Sequence, residues 1–244
     1  MNKVAVVTGA SYGLGEAICF QLVGMDSKVY GISRTAPKIN HSQFIWIKAD
    51  LLDDKQMAEA IAQINESRIN LLVNNAGTAF LKKTLDYTDQ DFERVFSLNF
   101  KVHAKITRQL FPKLDGGLII NTSSLSDRYP DPGWGLYGSS KAALNLFFET
   151  MAEENKEVKI INLLPSFVET PLQHKLQDGS SFDWTLCMQP EEVAKAVGYI
   201  VDNEGQITSG ARIIVEREGL DNDAYNPEKL WVYSVGSGKM RKVR

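Results

Sequence analysis

Thr8-Gly9-Ala10-Ser11-Tyr12-Gly13-Leu14-Gly15 joins a short apolar run, residues 4–7, to a helical pattern over residues 14–25. Glycine lets the backbone turn sharply and come close to a ligand. A helix starting at such a turn offers free N–H groups and the positive end of its dipole, which suit a phosphate. A glycine-rich turn alone can equally be a plain tight turn. The strand before it and the helix after it favour a pyrophosphate cradle built from Gly9, Ser11, Tyr12, Gly13, Leu14 and Gly15.

Outward from this turn, short apolar runs alternate with helix-period stretches. The runs cover residues 4–7, 28–32, 44–49, 69–73, 118–121, 159–164 and 212–215. They are rich in Val, Ile and Leu and too short for helices, as for strands buried on both faces of a parallel sheet. Helical patterns fall at 14–25, 55–66, 91–114, 138–155 and 191–201. The alternation predicts βαβ units with right-handed crossovers, in one domain over residues 1–219. Residues 170–189 directly follow a strand and are placed as a lid. Residues 220–244 form a C-terminal extension. Its Leu230, Trp231, Val232 and Tyr233 read as a docking segment, on this subunit or a neighbour. Its Lys239, Arg241, Lys242 and Arg244 read as a solvated basic end.

The net charge of −3 over 244 residues gives no footing for a nucleic-acid or membrane-surface partner. Cys19 and Cys187 lack CxxC spacing and read as buried, inert thiols. His41, His103 and His174 are scattered without ligand spacing. They read as surface or interface residues, and no metal site is expected. Met1-Asn2-Lys3 leads straight into the first apolar run, and no run reaches membrane-spanning length. The expected location is the cytoplasm.

The second strand ends Gly31-Ile32-Ser33-Arg34-Thr35. Dinucleotide folds place the adenosine ribose here, and an acidic residue would repel a 2′-phosphate. Arg34 instead offers a planar, permanent cation suited to phosphate, so NADP is expected over NAD, held by Arg34 and Thr35. Asp50, beside Leu51, is either an acceptor for the adenine amino group or a turn cap.

Tyr137 and Lys141 lie four apart at the start of a helical pattern and share a face. Ser124 follows the fifth strand. A phenol near its free pKa of about 10 is a poor base at neutral pH. A nearby ammonium favours the phenolate, and a hydroxyl can hold a carbonyl oxygen. Asn99 sits inside a helical pattern, where asparagine competes for backbone hydrogen bonds.

Thr8-Gly9-x-x-x-Gly13-x-Gly15, Asn74-Asn75-Ala76-Gly77, Asn99, Ser124 and Tyr137-x-x-x-Lys141, in this order, resemble the short-chain dehydrogenase/reductase family. The resemblance runs from Val4 to about Gly219. It implies a Rossmann-type, doubly wound, parallel seven-stranded sheet with helices on both faces. It implies an NADP(H)-dependent oxidoreductase that reduces a carbonyl to an alcohol, or the reverse. The roles it implies are Tyr137 as acid/base, Lys141 as its activator, Ser124 as substrate polariser and Asn99 as holder of a proton-relay water. Asn75, Ala76 and Gly77 would line the adenosine pocket, and Val168 and Thr170 would meet the nicotinamide carboxamide. Ser166 stands where the family usually has glycine. Trp134 and Phe167, with Ser124, Tyr137 and the more distant Trp184, are the expected substrate contacts. Gly133-Trp134-Gly135-x-Tyr137 resembles bacterial sepiapterin-reductase-type members, implying a flat or apolar ketone such as a pteridine side-chain carbonyl. A homodimer or homotetramer through the helices around Ala104, Ala142, Ala143 and Leu146 is also implied. Two rivals are a non-enzymatic NADP-binding sensor or scaffold, free to lose Tyr137 or Lys141, and a sugar-nucleotide epimerase, which needs an extra substrate domain.

Overall fold

The computed structural model describes residues 3–177, 182–216 and 230–242. The seven expected strands form as β1 (Val4–Thr8), β2 (Lys28–Ser33), β3 (Phe44–Lys48), β4 (Leu71–Asn74), β5 (Leu118–Thr122), β6 (Lys159–Pro165) and β7 (Ala211–Glu216). The sheet goes beyond seven: β8 (Leu230–Ser234) and β9 (Lys239–Lys242) extend it to nine, in the order β3-β2-β1-β4-β5-β6-β7-β8-β9. All pairs are parallel except β8 with β9. The C-terminal aromatic cluster therefore docks on its own subunit, Trp231 beside Ile213 and Tyr233 beside Val215. The basic residues expected as a solvated tail, Lys239, Arg241 and Lys242, belong to the edge strand β9. Residues 217–229, the expected domain end at Gly219 among them, and Arg244 lie outside the described residues, as do residues 178–181 of the expected lid.

The helices are α1 (Gly13–Gly24), α2 (Asp54–Ala62), α3 (Asp89–Phe96), α4 (Val102–Leu110), α5 (Gly135–Glu154), α6 (Pro171–Leu176) and α7 (Pro190–Asp202). Val6 and Val7 point to opposite faces of β1, and each enters a separate core. One core packs Ile18 and Leu22 of α1 and Val197 and Ile200 of α7 on the sheet. The other packs Met57 of α2, Ile106 of α4 and Phe148 of α5 on the opposite face. Most helices start at side-chain caps: Asp53 for α2, Thr88 with Asp91 for α3, Thr170 for α6, and Gln189 with Glu192 for α7. The single helical pattern over 91–114 divides into α3, a π-helical turn Ser97–Lys101 and α4.

β1 lies between β2 and β4, so the chain winds away from it in both directions. A crevice opens at the carboxyl ends of strands where the order reverses in this way. No helix among the described residues is long and apolar enough to cross a membrane.

Candidate active site

Thr8 ends β1, and its Oγ1 accepts from the backbone N–H of Asn75 at 2.9 Å and of Ala76 at 3.1 Å. The Asn75 amide donates to the Thr8 carbonyl at 3.0 Å. The glycine-rich turn is thus fastened to the end of β4. A Cβ on Gly15 would lie 2.1 Å from the Gly9 carbonyl oxygen, so the tight packing of helix on turn requires glycine there. Tyr12 precedes α1 in an extended conformation and gives it no side-chain cap. The first-turn N–H groups of α1 therefore have no capping side chain to occupy them, which fits an anion.

Arg34 and Thr35 are exposed just beyond β2, and Arg34 makes no salt bridge among the described residues. Asp50 accepts from the Leu52 backbone N–H at 3.0 Å, so one of its oxygens caps a turn.

The crevice is a cavity of about 680 Å³ whose lining includes Tyr12, Gly13, Leu14, Gly15, Asn75, Gly77, Ser124, Trp134, Tyr137, Lys141, Phe167, Val168 and Thr170. Gly9, Ser11, Ala76, Arg34, Thr35, Asp50 and Leu51 lie outside that lining. So does Trp184, which stacks on His174 at 4.1 Å between centroids and meets Phe182 edge-on. Phe182 in turn packs edge-on against Phe167, so Trp184 braces the wall from behind. Val168 bridges Met188, and Thr170 caps α6 by accepting from Gln173 N–H at 3.2 Å. Ser166 N–H donates to the Val215 carbonyl at 3.0 Å. Asp26 is the sole non-glycine residue with positive φ among those described. The loop at Ser166 thus has no need of glycine's freedom.

Ser124 caps the short turn Leu125–Asp127, accepting from Ser126 N–H at 3.2 Å. A Cβ on Gly138 would meet the Ser126 carbonyl oxygen at 2.3 Å, so its absence lets α5 close down on this turn. Tyr137 is brought to Ser124, and the hydrogen bond between them pulls the phenol's pKa down. Burial acts first and more strongly, pushing Tyr137 up to about 12. Lys141 is 2% exposed, and burial pushes it down to about 7. Its Nζ donates to the Thr122 carbonyl at 2.7 Å and lies 5.6 Å from the Tyr137 ring centroid. Desolvation dominates both groups, and Ser124 supplies the downward pull.

Asn99 lies in the π-helical turn, where the regular ladder is broken. Its Oδ1 accepts from Thr78 N–H at 2.8 Å, and its Nδ2 donates to the Thr78 carbonyl and the Ser140 hydroxyl, both at 2.9 Å. Asn99 thus ties the segment after β4 to α5.

His103 corrects the expectation of a surface histidine: it is fully buried, with Nε2 2.8 Å from the Ala76 carbonyl. Burial and then the Lys141 charge push it down to about 3, so it is neutral. Thr122 and Ser123 also line the cavity, each with a buried hydroxyl lacking a partner among the described residues. Both cysteines are buried. No group of three or more His, Cys, Asp or Glu among the described residues could hold a metal ion.

The family model described as short chain dehydrogenase matches residues 3–181. An uncharacterised oxidoreductase of Saccharomyces cerevisiae is 30% identical over 193 residues, covering 73% of this chain and 75% of the yeast protein. Cyclopentanol dehydrogenase of Comamonas testosteroni is 26% identical over 240 residues, covering 88% and 96%. An alcohol dehydrogenase structure from Thermococcus sibiricus, complexed with 5-hydroxy-NADP, superposes with a TM-score of 0.78 at 21% identity. It covers 88% of this chain and 97% of the other. With a family match over most of its length, a Rossmann-type sheet and a Ser-Tyr-Lys group at the sheet's carboxyl edge, this chain belongs to the short-chain dehydrogenase/reductase family of oxidoreductases.

Proposed function

We propose that this chain is a cytoplasmic, NADP(H)-dependent carbonyl reductase working as a homo-oligomer. The observation that carries the reading is the meeting of Ser124, Tyr137 and Lys141 in one cavity with the uncapped start of α1. The cofactor's pyrophosphate fits the turn from Gly9 to Gly15, and Arg34, exposed and without a salt bridge among the described residues, fits the 2′-phosphate. Thr35, Asp50, Leu51, Asn75, Ala76 and Gly77 bound the adenosine side; Val168 and Thr170 bound the nicotinamide side. The bound nicotinamide supplies the hydride. The neutral state of Tyr137 at pH 7 suits it to give a proton. Ser124 holds the substrate oxygen, Tyr137 donates its proton to that oxygen, and Lys141 restores the proton to Tyr137. Asn99 keeps the π-helical turn in place behind Lys141 and feeds the relay. The net change is ketone plus NADPH plus one proton giving alcohol and NADP⁺; oxidation reverses each step. Trp134 and Phe167 hold the body of the substrate, with Trp184 behind Phe167.

One assay tests this reading: oxidation of NADPH and of NADH with a panel of ketones, aldehydes and diones. Wild type is expected to turn over a carbonyl with NADPH preferred. Tyr137→Phe is expected to lower kcat by about 10²–10⁴-fold, and Arg34→Asp to move the preference toward NADH. Tight NADPH binding with no turnover of any carbonyl sinks it and favours a sensor.

A further inference from the structure

The walls of the cavity differ in chemistry from its catalytic floor. Lys141 is the only cation in the described lining, and its Nζ is turned to the Thr122 carbonyl. Asp131 and Glu216 also border the cavity and are acidic. A substrate carboxylate or phosphate thus finds no matching cation there and meets like charge. Trp134, Phe167, Leu172, Leu176 and Leu186 make the rest of the walls largely apolar.

Two polar side chains that border this surface carry unpaired donors. Gln173, on α6, is 7% exposed, and its Nε2 is buried with no hydrogen-bond partner. Tyr129, on the loop between β5 and α5, has its hydroxyl buried without a partner. Both residues line the cavity. A buried donor left unpaired keeps its full desolvation cost, so each group gains when an acceptor comes within its reach. The terminal torsion of glutamine is broad and lets the Gln173 amide swing toward the cavity cheaply.

We propose that the substrate is an uncharged, aryl-sized ketone carrying a second hydrogen-bond acceptor, which Gln173 and Tyr129 bind. The proposal rests on the reading of this cavity as a carbonyl reductase site. The hydride and proton add across the keto group, and the second acceptor is bound but chemically unchanged. A site built to donate to such an acceptor discriminates against an analogue lacking it, because its own donors are then left unpaired.

The test uses three phenyl ketones with NADPH: methyl phenylglyoxylate (neutral, second acceptor), phenylglyoxylate (its anion) and propiophenone (no second acceptor). Wild type is expected to favour the neutral ester over the anion by more than about tenfold in kcat/KM. Gln173→Leu is expected to lower kcat/KM for the ester about tenfold and to leave propiophenone and the NADPH KM unchanged. Tyr129→Phe, which removes one oxygen, is expected to act in the same direction. The within-probe comparison of variant with wild type cancels the differing reactivity of the ketones. Equal losses on ester and propiophenone, a rise confined to the NADPH KM, or equal use of ester and anion each overturn the proposal. No turnover of the three while another panel carbonyl is reduced overturns the proposal alone; no turnover of any carbonyl at all overturns the carbonyl-reductase reading as well and so is a separate outcome.

Discussion

At the scale of single residues, Lys141 carries an amine into the interior with one hydrogen bond among the described residues, to Thr122. Burial lowers its pKa from 10.5 to about 7. Between those values the unfolded chain holds a proton that the folded chain lacks, so stability rises with pH across that window. Below pH 7 both states are protonated, and the whole cost of burying the charge remains. Lys141→Met is therefore expected to raise resistance to urea by ~2 kcal/mol at pH 7, a gain that shrinks toward pH 10. Its oxidoreductase activity should be lost together with that gain, as stability and function trade at such sites. Urea melts at the two pH values check this, and coincident melts at pH 7 defeat it. His103 has the same sign in a lower window, from 6.5 down to about 3, and adds acid sensitivity there. The spacing of Tyr137 and Lys141 was legible because one helix sets it. The burial of His103 was not, because a histidine's surroundings are not written in its own residue type.

Among the elements, the apolar runs marked every strand from β1 to β7, but what they share across the sheet is polar. Asn74, Asn121, Asn162 and Arg212 occupy one rung of β4, β5, β6 and β7. The Asn74 amide donates to Asn121 at 2.9 Å, and Asn121 to Asn162 at 2.9 Å. Asn162 donates to Glu149 on α5 at 3.3 Å. Arg212 pairs with the same carboxylate through Nε and through Nη2, the latter at 2.9 Å, and reaches Asp127 through Nη1 at 2.9 Å. The Asp127 side chain is 1% exposed and ends the turn that Ser124 begins. Removing one partner from such a cluster leaves buried charge uncompensated, at a cost of about 3–5 kcal/mol. Arg212→Leu is expected to lose stability on that order in urea unfolding, against less than 1 kcal/mol for a typical solvated surface residue. A surface-like value speaks against a stabilising role for the cluster. Hydrophobic periodicity could not reveal this rung, since register between strands joins residues 138 positions apart (212 − 74). It likewise read α3 and α4 as one helix, because a π-helical turn adds no break in the apolar pattern, and it read the six-residue α6 only as part of a lid.

For the whole molecule, the extension shows the limit of local patterns: β8 finds its partner in β7 across residues 217–229, a pairing that only the assembled sheet provides. The sheet then ends in β9, whose Lys239, Arg241 and Lys242 suit an edge that resists pairing with another chain. An apolar surface lies elsewhere. Leu146 is 66% exposed and Phe147 43% on α5, and Phe92 is 46% exposed on α3. Phe147 meets Phe100 of the π-helical turn edge-on at 5.4 Å, so the patch spans both helical segments. Clustered apolar side chains of this size on a water-facing helix mark an interface. The proposed occupant is a second copy of the chain, since a two-fold axis sets the same patch against itself. Light scattering at micromolar concentration should therefore find at least twice the 27.2 kDa of one chain. Phe147→Glu buries a charge in that contact and should shift the mass to the single chain while keeping the far-UV spectrum. A wild type that runs only as the 27.2 kDa species ends the idea of self-association. A variant that stays oligomeric moves the interface away from α5.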